Sequence, residues 1–288
     1  MITPYVAVLQ LGESSSTWHH RVVQDADSRS GPEVLQGLIH GVKSIRDLQM
    51  RRSIIAEKLG QGSAESTIDA LQALVSLGGR GNLDISATLA ALVSTLEPPS
   101  QVSYETRAEL YAAANEMAAT EIAYILLEID QQNDEVEDTP RAIIPNGPVM
   151  TLGARKSAAR TRDRAVITHL IHDPNIQVVQ VVLDNPNLVE TDVLVMASKR
   201  PAQEAALRLI ANHKRWSLPR RIRLAVALNP DAPLPLACRI CLDLRDSDLR
   251  EITRNAASPP LLRGHADRLI QRRLARAHEA NTSERSGA

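Results

Sequence analysis

Phenylalanine is absent from this chain of 288 residues, and other aromatic side chains are scarce. The ones present are Tyr5, Trp18, Tyr104, Tyr111, Tyr124 and Trp216. Sandwiches and barrels draw on aromatic and β-branched cross-strand pairs, so this shortage argues against both folds. Hydrophobic residues still make up 43% of the chain, which is enough for a core of Leu, Ala, Val and Ile. That mixture favours closely packed helices, and the sequence predicts an all-α protein.

Cysteine, long apolar runs and targeting signals are also rare or missing. The chain has only Cys238 and Cys241, which excludes an iron–sulfur cluster held by four thiolates of one chain. The sequence has no run of about 18 apolar residues, the length that a membrane-spanning helix needs. The apolar stretch Val6-Ala7-Val8-Leu9 is too short for the core of a signal peptide, and no basic segment precedes it. We therefore expect a soluble, cytoplasmic protein.

The two halves of the chain differ in the sign of their charge, although the net charge is only −1. Residues 1–150 hold 10 Lys and Arg against 20 Asp and Glu, whereas residues 151–288 hold 23 against 14. A basic half can indicate an anionic partner. Attraction between the two halves, or a solvated face rich in arginine, explains the same asymmetry without any ligand.

The pattern of apolar residues divides the chain into five segments. Residues 1–31 show little periodicity. Residues 32–129 carry apolar residues at helical spacing, interrupted by glycine and proline, and form a predicted acidic helical domain. Residues 130–150 are acidic and rich in turn-forming residues, which is typical of a linker. Residues 151–275 form a predicted basic array of helices, and residues 276–288 a disordered tail.

Asparagines recur just beyond successive apolar helices of the basic half. Asn185 and Asn229 lie 44 residues apart, and Asn212 and Asn255 lie 43 apart. Asparagine tolerates left-handed dihedral angles or caps the next helix, and a proline after it prevents the helix from continuing. The spacing falls in the range of armadillo and HEAT-like units of two or three helices. We therefore expect a right-handed superhelical α-solenoid preceded by an N-terminal helical region.

Six stretches carry a resemblance to known repeat proteins. They are residues 103–111 (SYETRAELY), 152–156 (LGARK), 173–175 (DPN), 183–188 (LDNPNL), 215–217 (RWS) and 228–233 (LNPDAP). With these stretches the chain resembles an uncharacterised bacterial family of α-helical repeat proteins, akin to leucine-rich-repeat-variant and HEAT-like solenoids. The resemblance spans residues 90–275. It implies a fold of stacked helices, and it brings no catalytic residue to carry over.

Two pairs of side chains have the spacing of metal or redox sites. Cys238 and Cys241 form a C-x-x-C pair. The pair lies within an apolar helical segment and has no second pair to complete a zinc site, so we interpret both cysteines as small core residues. His169 and His172 share one helical face, and Asp173 follows them. Polar positions near a helix end explain these histidines equally well.

Other candidate motifs are weaker still. The run Trp18-His19-His20 lies in the poorly patterned start of the chain. The run Gly78-Gly79-Arg80-Gly81 lacks the preceding strand and the Lys-Ser/Thr ending of a phosphate loop, so it predicts a helix end. We therefore assign no catalytic, cofactor-binding or metal-binding residue.

The most informative cluster lies between two predicted helices of the basic half. Its candidate binding residues are Lys214, Arg215, Trp216, Arg220, Arg221 and Arg223. A basic ridge with an exposed Trp could grip a nucleic-acid backbone. Seven further cations could extend that surface: Arg155, Lys156, Arg160, Arg162, Arg164, Lys199 and Arg200. Alternatively, Trp216 fills a corner between helices and the arginines are solvated or cap carbonyl groups.

The sequence supports three functions of different classes. The first is a protein-interaction scaffold that binds a protein partner in the groove of a helical array and has no catalytic activity. The second is a nucleic-acid-binding protein, with a repair-like activity as one form of it, that acts through residues 214–223. The third is a lyase-like accessory enzyme that acts on a protein carrying a cofactor. The sequence leaves open the identity of the partner, the oligomeric state, and whether the acidic half packs on the basic half.

Overall fold

The structure is a computed structural model and describes residues 30–127, 139–144 and 147–286. The N-terminal helices are α1 (Gly31–Lys43), α2 (Leu48–Leu59), α3 (Ala64–Leu77), α4 (Leu83–Leu96), α5 (Tyr104–Glu116) and α6 (Thr120–Leu126). A two-stranded antiparallel hairpin follows, made of β1 (Arg141–Ala142) and β2 (Val149–Met150). The C-terminal helices are α7 (Leu152–Ala158), α8 (Arg164–Leu170), α9 (Ile176–Leu183), α10 (Glu190–Ser198), α11 (Glu204–Asn212), α12 (Arg220–Ala227), α13 (Leu234–Cys241), α14 (Asp246–Arg254) and α15 (Pro260–Ser286). The all-α prediction is confirmed.

No helix in the described part of the chain combines the length and the apolar character needed to span a membrane.

Hydroxyl side chains fix where two of the N-terminal helices begin. Ser103 is the N-cap of α5, because its Oγ accepts a hydrogen bond from the backbone N–H of Thr106 at 3.1 Å. Ser63 caps α3 in the same way, through the N–H of Ser66 at 3.2 Å. Helix α3 therefore begins at Ala64.

The N-terminal helices share one apolar core. Helix α1 packs against α2, α3 and α4, and α5 packs against α3 and α6. Leu38, Ile55, Leu71, Leu89 and Ile122 are fully buried there. Burial of each such side chain stabilises the fold by about 1.5–3 kcal/mol, so leucine and isoleucine build this core without phenylalanine.

Many of the C-terminal helices pack on the second helix along the chain as well as on the next one. Helix α9 lies between α7 and α11, α10 lies against α12, and α13 lies against α15. Consecutive helices such as α8 and α9, or α14 and α15, also touch. Alternate helices therefore lie side by side, with α7, α9 and α11 in one row and α10 and α12 in another.

Ion pairs between alternate helices occur at a fixed spacing. Arg164, the first residue of α8, donates to the Asp192 carboxylate in the first turn of α10, with Nη1 2.7 Å from Oδ2. Arg220, the first residue of α12, pairs in the same way with Asp248 in the first turn of α14. The residues of each pair are 28 apart in sequence, and Asp192 and Arg220 are separated by the same interval. The four positions mark equal steps along the basic half.

Asn185 and Asn229 close helices by equivalent contacts. The Nδ2 of Asn185 donates to two carbonyl oxygens at the end of α7, both at 2.8 Å. The Nδ2 of Asn229 donates to two at the end of α10, at 2.8 and 3.0 Å. By contrast, Asn212 Oδ1 has no hydrogen-bond partner among the described residues, whereas Asn255 accepts from the N–H of Ala257. The four ion-pair positions are thus 28 residues apart, an interval that differs from the 43 to 44 residues between the asparagines. Asn185 follows α9 and Asn229 follows α12, three helices later.

The acidic and basic halves contact each other. Helix α13 packs against α4 and α6, and α15 packs against α3 and α6. Between the halves, the buried Glu97 carboxylate accepts hydrogen bonds from Arg208 of α11 at 2.8 Å and from Arg239 of α13 at 2.5 Å. The attraction between halves that the charge asymmetry allows is therefore part of the fold.

Three sequence-based expectations differ from the described structure or fall outside it. The hairpin of β1 and β2 occupies the end of the predicted linker 130–150. Helix α15 runs to Ser286, through most of the predicted tail 276–288. The run Trp18-His19-His20 and residues 130–138 of the linker lie outside the described residues.

Candidate docking cleft on the basic helices

Trp216 is buried, contrary to the exposed position that base stacking would need. Only 3% of its surface is accessible, and its Nε1 donates to the carbonyl oxygen of Leu183, the last residue of α9, at 2.8 Å. The Arg215 guanidinium covers one side of the ring, 4.2 Å from its centroid. The indole therefore fills the corner between α9 and α11 and satisfies a carbonyl group at a helix end.

Two of the predicted binding arginines are held in ion pairs. Arg220 donates to the nearly inaccessible carboxylate of Asp248, and this hydrogen bond raises the pKa of the guanidinium. Arg223 pairs with Asp243, which also accepts a hydrogen bond from Ser86 of α4 at 2.8 Å. These side chains link helices to one another, and Arg223 joins the two halves through a shared carboxylate.

Lys214, Arg215 and Arg221 remain accessible at the surface. Lys214 is 80% exposed, and its Nζ lies 4.0 Å from the Asp184 carboxylate. His213 faces the same carboxylate at 3.3 Å, and burial lowers the pKa of its imidazole although Asp184 opposes the shift. The predicted six-residue cluster therefore separates into buried or paired side chains and three accessible cations.

The seven further cations that could extend the basic surface also fall into two groups, paired side chains and surface side chains. Arg155 is fully buried against Asp173, with Nε 2.9 Å from Oδ2, and Arg164 is paired with Asp192. The remaining five are polar surface side chains: Lys156, Arg160, Arg162, Lys199 and Arg200. Of these, Arg200 shares a cleft with Arg221.

That cleft lies between α10 and α12 and has a volume of about 290 Å³. It is lined by Leu194, Ser198, Arg200, Arg221, Leu224, Ala225 and Leu228. Its apolar side chains are partly exposed, and none of the lining residues in the described part of the chain carries a carboxylate. A surface of this composition can take an apolar side chain and an anionic group at the same time.

The ends of the two helices position the arginines of the cleft. Arg221 is the second residue of α12. Arg200 follows the end of α10, and its Nη2 donates to the carbonyl oxygen of Leu228, at the end of α12, at 3.1 Å. Cationic side chains at a helix C-terminus favour the exposed carbonyl groups there, so this contact holds Arg200 over the cleft.

Leu194, Leu224 and Leu228 were not predicted as binding residues. The core face of α12 is set by Ile222 and Val226, which are fully buried and four residues apart. Leu224 and Leu228 are also four apart but lie on another side of the helix, where they are only partly buried. Apolar residues in excess of one core-facing stripe are the signal that could have identified the cleft.

Buried thiols make a redox or metal role unfavourable for the C-x-x-C pair. Cys238 and Cys241 are both buried within α13, as the apolar pattern predicts. Burial raises the pKa of the Cys238 thiol to about 12 and that of Cys241 well above its ordinary value. Since the thiolate is the reactive form, both groups are inert core residues.

A second cleft, of about 350 Å³, contains the two histidines with metal-like spacing. His169 and His172 line it together with Arg141, residues 142–144, Leu170, Asp173 and Pro174. Its carboxylate is already engaged, because Asp173 pairs with Arg155 and accepts from the N–H of Asn175. Within the described ranges, no group of three or more His, Cys, Asp or Glu is arranged to hold a metal ion.

Gly78 and Gly79 end α3, as predicted, and also bring the two halves together. Gly79 has a φ of +72°, in the left-handed region. A Cβ on Gly79 would lie 2.6 Å from the carbonyl oxygen of Leu244 and closer still to the Arg273 guanidinium. The glycines are needed for this close approach to α15.

Comparison with known proteins adds no identification. No protein family, no curated protein and no solved structure matches this chain.

Proposed function

We propose that this protein is a protein-interaction scaffold that binds a partner protein in the cleft between α10 and α12. In this proposal the C-terminal helices form a right-handed superhelical solenoid of two-helix repeats, with the 28-residue step of the Arg164–Asp192 and Arg220–Asp248 pairs as its period. The proposal assigns no catalytic residue. The resemblance to helical repeat families supports the same class of function.

One observation carries the proposal: an apolar cleft flanked by cations lies open on the basic half. The N-terminal helices cover α13 and α15, where Arg239 and Arg273 are buried. Leu194 and Leu224 instead remain partly accessible, and Arg200 and Arg221 are exposed beside them. Apolar area beyond the core-facing stripe, next to cations, is typical of a surface that a protein partner covers.

Nucleic-acid binding through residues 214–223 is the alternative. Lys214, Arg215 and Arg221 could contact phosphates. This alternative has less support, since Trp216 is buried and the Arg220 and Arg223 charges are compensated by carboxylates. It also leaves the apolar cleft without a role.

The test is affinity purification of the tagged protein from its native lysate, split into nuclease-treated and untreated portions. Each portion is compared for the unchanged protein, the double variant Arg221→Glu with Leu224→Asp, and Arg254→Glu as a control. Arg254 is an exposed arginine of α14 that does not line the cleft. Circular dichroism of each variant establishes that the helical fold is kept.

The scaffold proposal expects a defined protein partner that survives nuclease, is lost with the double variant and is kept with Arg254→Glu. Protein partners that disappear on nuclease treatment, together with recovered nucleic acid, would favour the alternative. A partner that the double variant retains in full would place the interface elsewhere and overturn the assignment of the cleft.

A further inference from the structure

The basic half already holds one short helix in a groove between alternate helices. Helix α6 packs against both α13 and α15, which are separated in sequence by α14 alone. It is only 7 residues long, and Ile122, Ile125 and Leu126 are buried. The groove between two such helices can therefore take a short apolar helix.

Arginines bind the polar groups at both ends of α6. Arg272 of α15 pairs with the Glu121 carboxylate in the first turn of α6 at 2.5 Å. Arg239 of α13 donates to the carbonyl oxygens of Ile125 at 2.7 Å and Leu127 at 2.6 Å, at the other end. The last carbonyl groups of a helix have no partner within it, so an arginine in the groove supplies the missing donors.

The open cleft between α10 and α12 offers the same combination of groups. Its two helices are also separated in sequence by one helix, α11, and they pack against each other. Leu224 and Leu228 supply apolar surface, and Arg200 and Arg221 supply guanidinium groups. Since none of the described residues that line this cleft is acidic, its charge is complementary to a carboxylate.

We propose that this cleft binds a short amphipathic helix of the partner, with apolar side chains against Leu224 and Leu228 and a carboxylate on Arg221. The proposal deepens the scaffold function and rests on it. Helix α6 has a buried Ile125 and a Glu121 paired with an arginine, and we expect the partner helix to carry the same kinds of side chain. A nucleic acid would satisfy the arginines but would leave the leucines uncovered.

The probe is a fluorescently labelled, alanine-based helical peptide of about 16 residues, long enough to hold some helix by itself. It carries two leucines four positions apart, flanked by two glutamates on the same face. Two matched peptides replace the glutamates with glutamine or lysine, and a third replaces the leucines with alanine. Fluorescence anisotropy measures the binding of each peptide to the full chain.

We expect the glutamate peptide to bind about threefold or more tightly than the glutamine peptide, the range of a partly exposed ion pair. The alanine peptide should lose about tenfold in affinity, and the lysine peptide should bind least. Arg221→Glu should invert the order of the glutamate and lysine peptides, whereas Arg254→Glu should leave it unchanged. Arg221→Gln, which introduces no new charge, should abolish the preference without inverting it.

The helix proposal would be overturned if the glutamate, glutamine and lysine peptides bound equally, or if no peptide bound. It would also be overturned if Arg221→Glu left the order of the glutamate and lysine peptides unchanged. The scaffold function would survive that failure if the lysate partner remained sensitive to the double variant Arg221→Glu with Leu224→Asp. A single-stranded oligonucleotide that bound the same cleft more tightly than every peptide would overturn both.

Discussion

The carboxylate of Glu97 and the guanidinium of Arg239 lie 2.5 Å apart between the two halves of the chain, and 142 residues separate them in sequence. Only 2% of the Glu97 side chain and 1% of the Arg239 side chain are accessible. Burial lowers the pKa of the Arg239 guanidinium, and the attraction to Glu97 opposes this shift. Arg208 donates to the same carboxylate, so one acidic residue compensates two buried cations.

Removal of the Glu97 carboxylate should destabilise the whole protein. Glu97→Ala leaves the Arg239 guanidinium buried without a counter-charge, and it removes the buried one of the two carboxylates that pair with Arg208. Breaking a buried pair in this way costs about 3–5 kcal/mol. Glu97→Gln keeps hydrogen-bond acceptors and should cost less. Urea unfolding followed by circular dichroism measures both variants, with Glu204→Ala as the control, because Glu204 also pairs with Arg208 but is half exposed. A Glu97→Ala free energy of unfolding within about 0.5 kcal/mol of the control would contradict this role.

The equivalent contacts of Asn185 and Asn229 predict similar costs of substitution. Asn229→Ala removes the donor to two carbonyl oxygens at the end of α10 and should lower the free energy of unfolding by about 2 kcal/mol. Asn185→Ala should match it. Asn255→Ala removes one local hydrogen bond to Ala257 and should cost about half as much. The three variants are compared by the same urea titration. If Asn255→Ala were the least stable of the three, the contacts of Asn185 and Asn229 with the helix-end carbonyl groups would not be the larger contribution to stability.

Gly79 should tolerate a side chain less well than Gly81, although both have positive φ, of 72° and 79°. A Cβ at Gly81 meets no atom of the described residues within 4 Å, so Gly81→Ala measures the backbone cost alone, about 1 kcal/mol. Gly79→Ala adds a collision with the Leu244 carbonyl and the Arg273 side chain of the basic half, and should cost at least twice as much. Thermal unfolding of the two variants tests this. Equal midpoints would indicate that the halves do not meet at Gly79.

His265 should make the protein less stable in mild acid. Burial lowers the pKa of its imidazole from 6.5 to about 4, although the hydrogen bond to the Cys238 carbonyl opposes the shift. The unfolded chain therefore binds a proton more readily between these two values, so the stability present above pH 6.5 is lost as the pH falls towards 4. The loss from this one group amounts to about 3 kcal/mol.

His265→Gln keeps an N–H for the Cys238 carbonyl but cannot titrate, so its free energy of unfolding should change less between pH 7 and pH 4.5. His172→Gln, at an exposed histidine, is the control and should follow the unchanged protein. Identical pH profiles for His265→Gln and the unchanged protein would rule out this origin of acid sensitivity.

The sequence predicts the helices better than it predicts the surface. Helical periodicity and caps such as Ser103 are local, and the structure confirms that helices occupy the predicted apolar segments. The buried position of the Cys238 and Cys241 thiols also follows from their apolar neighbours. The 28-residue step does not follow, because it depends on which helices lie side by side.

The dependence on contacts between distant residues also explains why the sequence does not predict which members of the basic cluster are accessible. In the sequence, Trp216 and Arg223 lie close to Arg221 and share its charge pattern. In the fold, Trp216 caps the Leu183 carbonyl and Arg223 reaches Asp243, while Arg221 faces a cleft formed with a helix more than 20 residues earlier. Which cations are neutralised depends on contacts between distant residues, which no local pattern records.

The most direct measurement of the central claim is site-specific photo-crosslinking at position 224 in the native lysate, with and without nuclease. A photoreactive amino acid replaces Leu224 in the cleft or, as a control, Leu261, an apolar residue of α15 that is 52% exposed and lies outside the cleft. The scaffold account predicts that position 224 crosslinks one defined protein in both portions and that position 261 does not. Crosslinks from position 224 to nucleic acid, or no protein crosslink above the level at position 261, would contradict it.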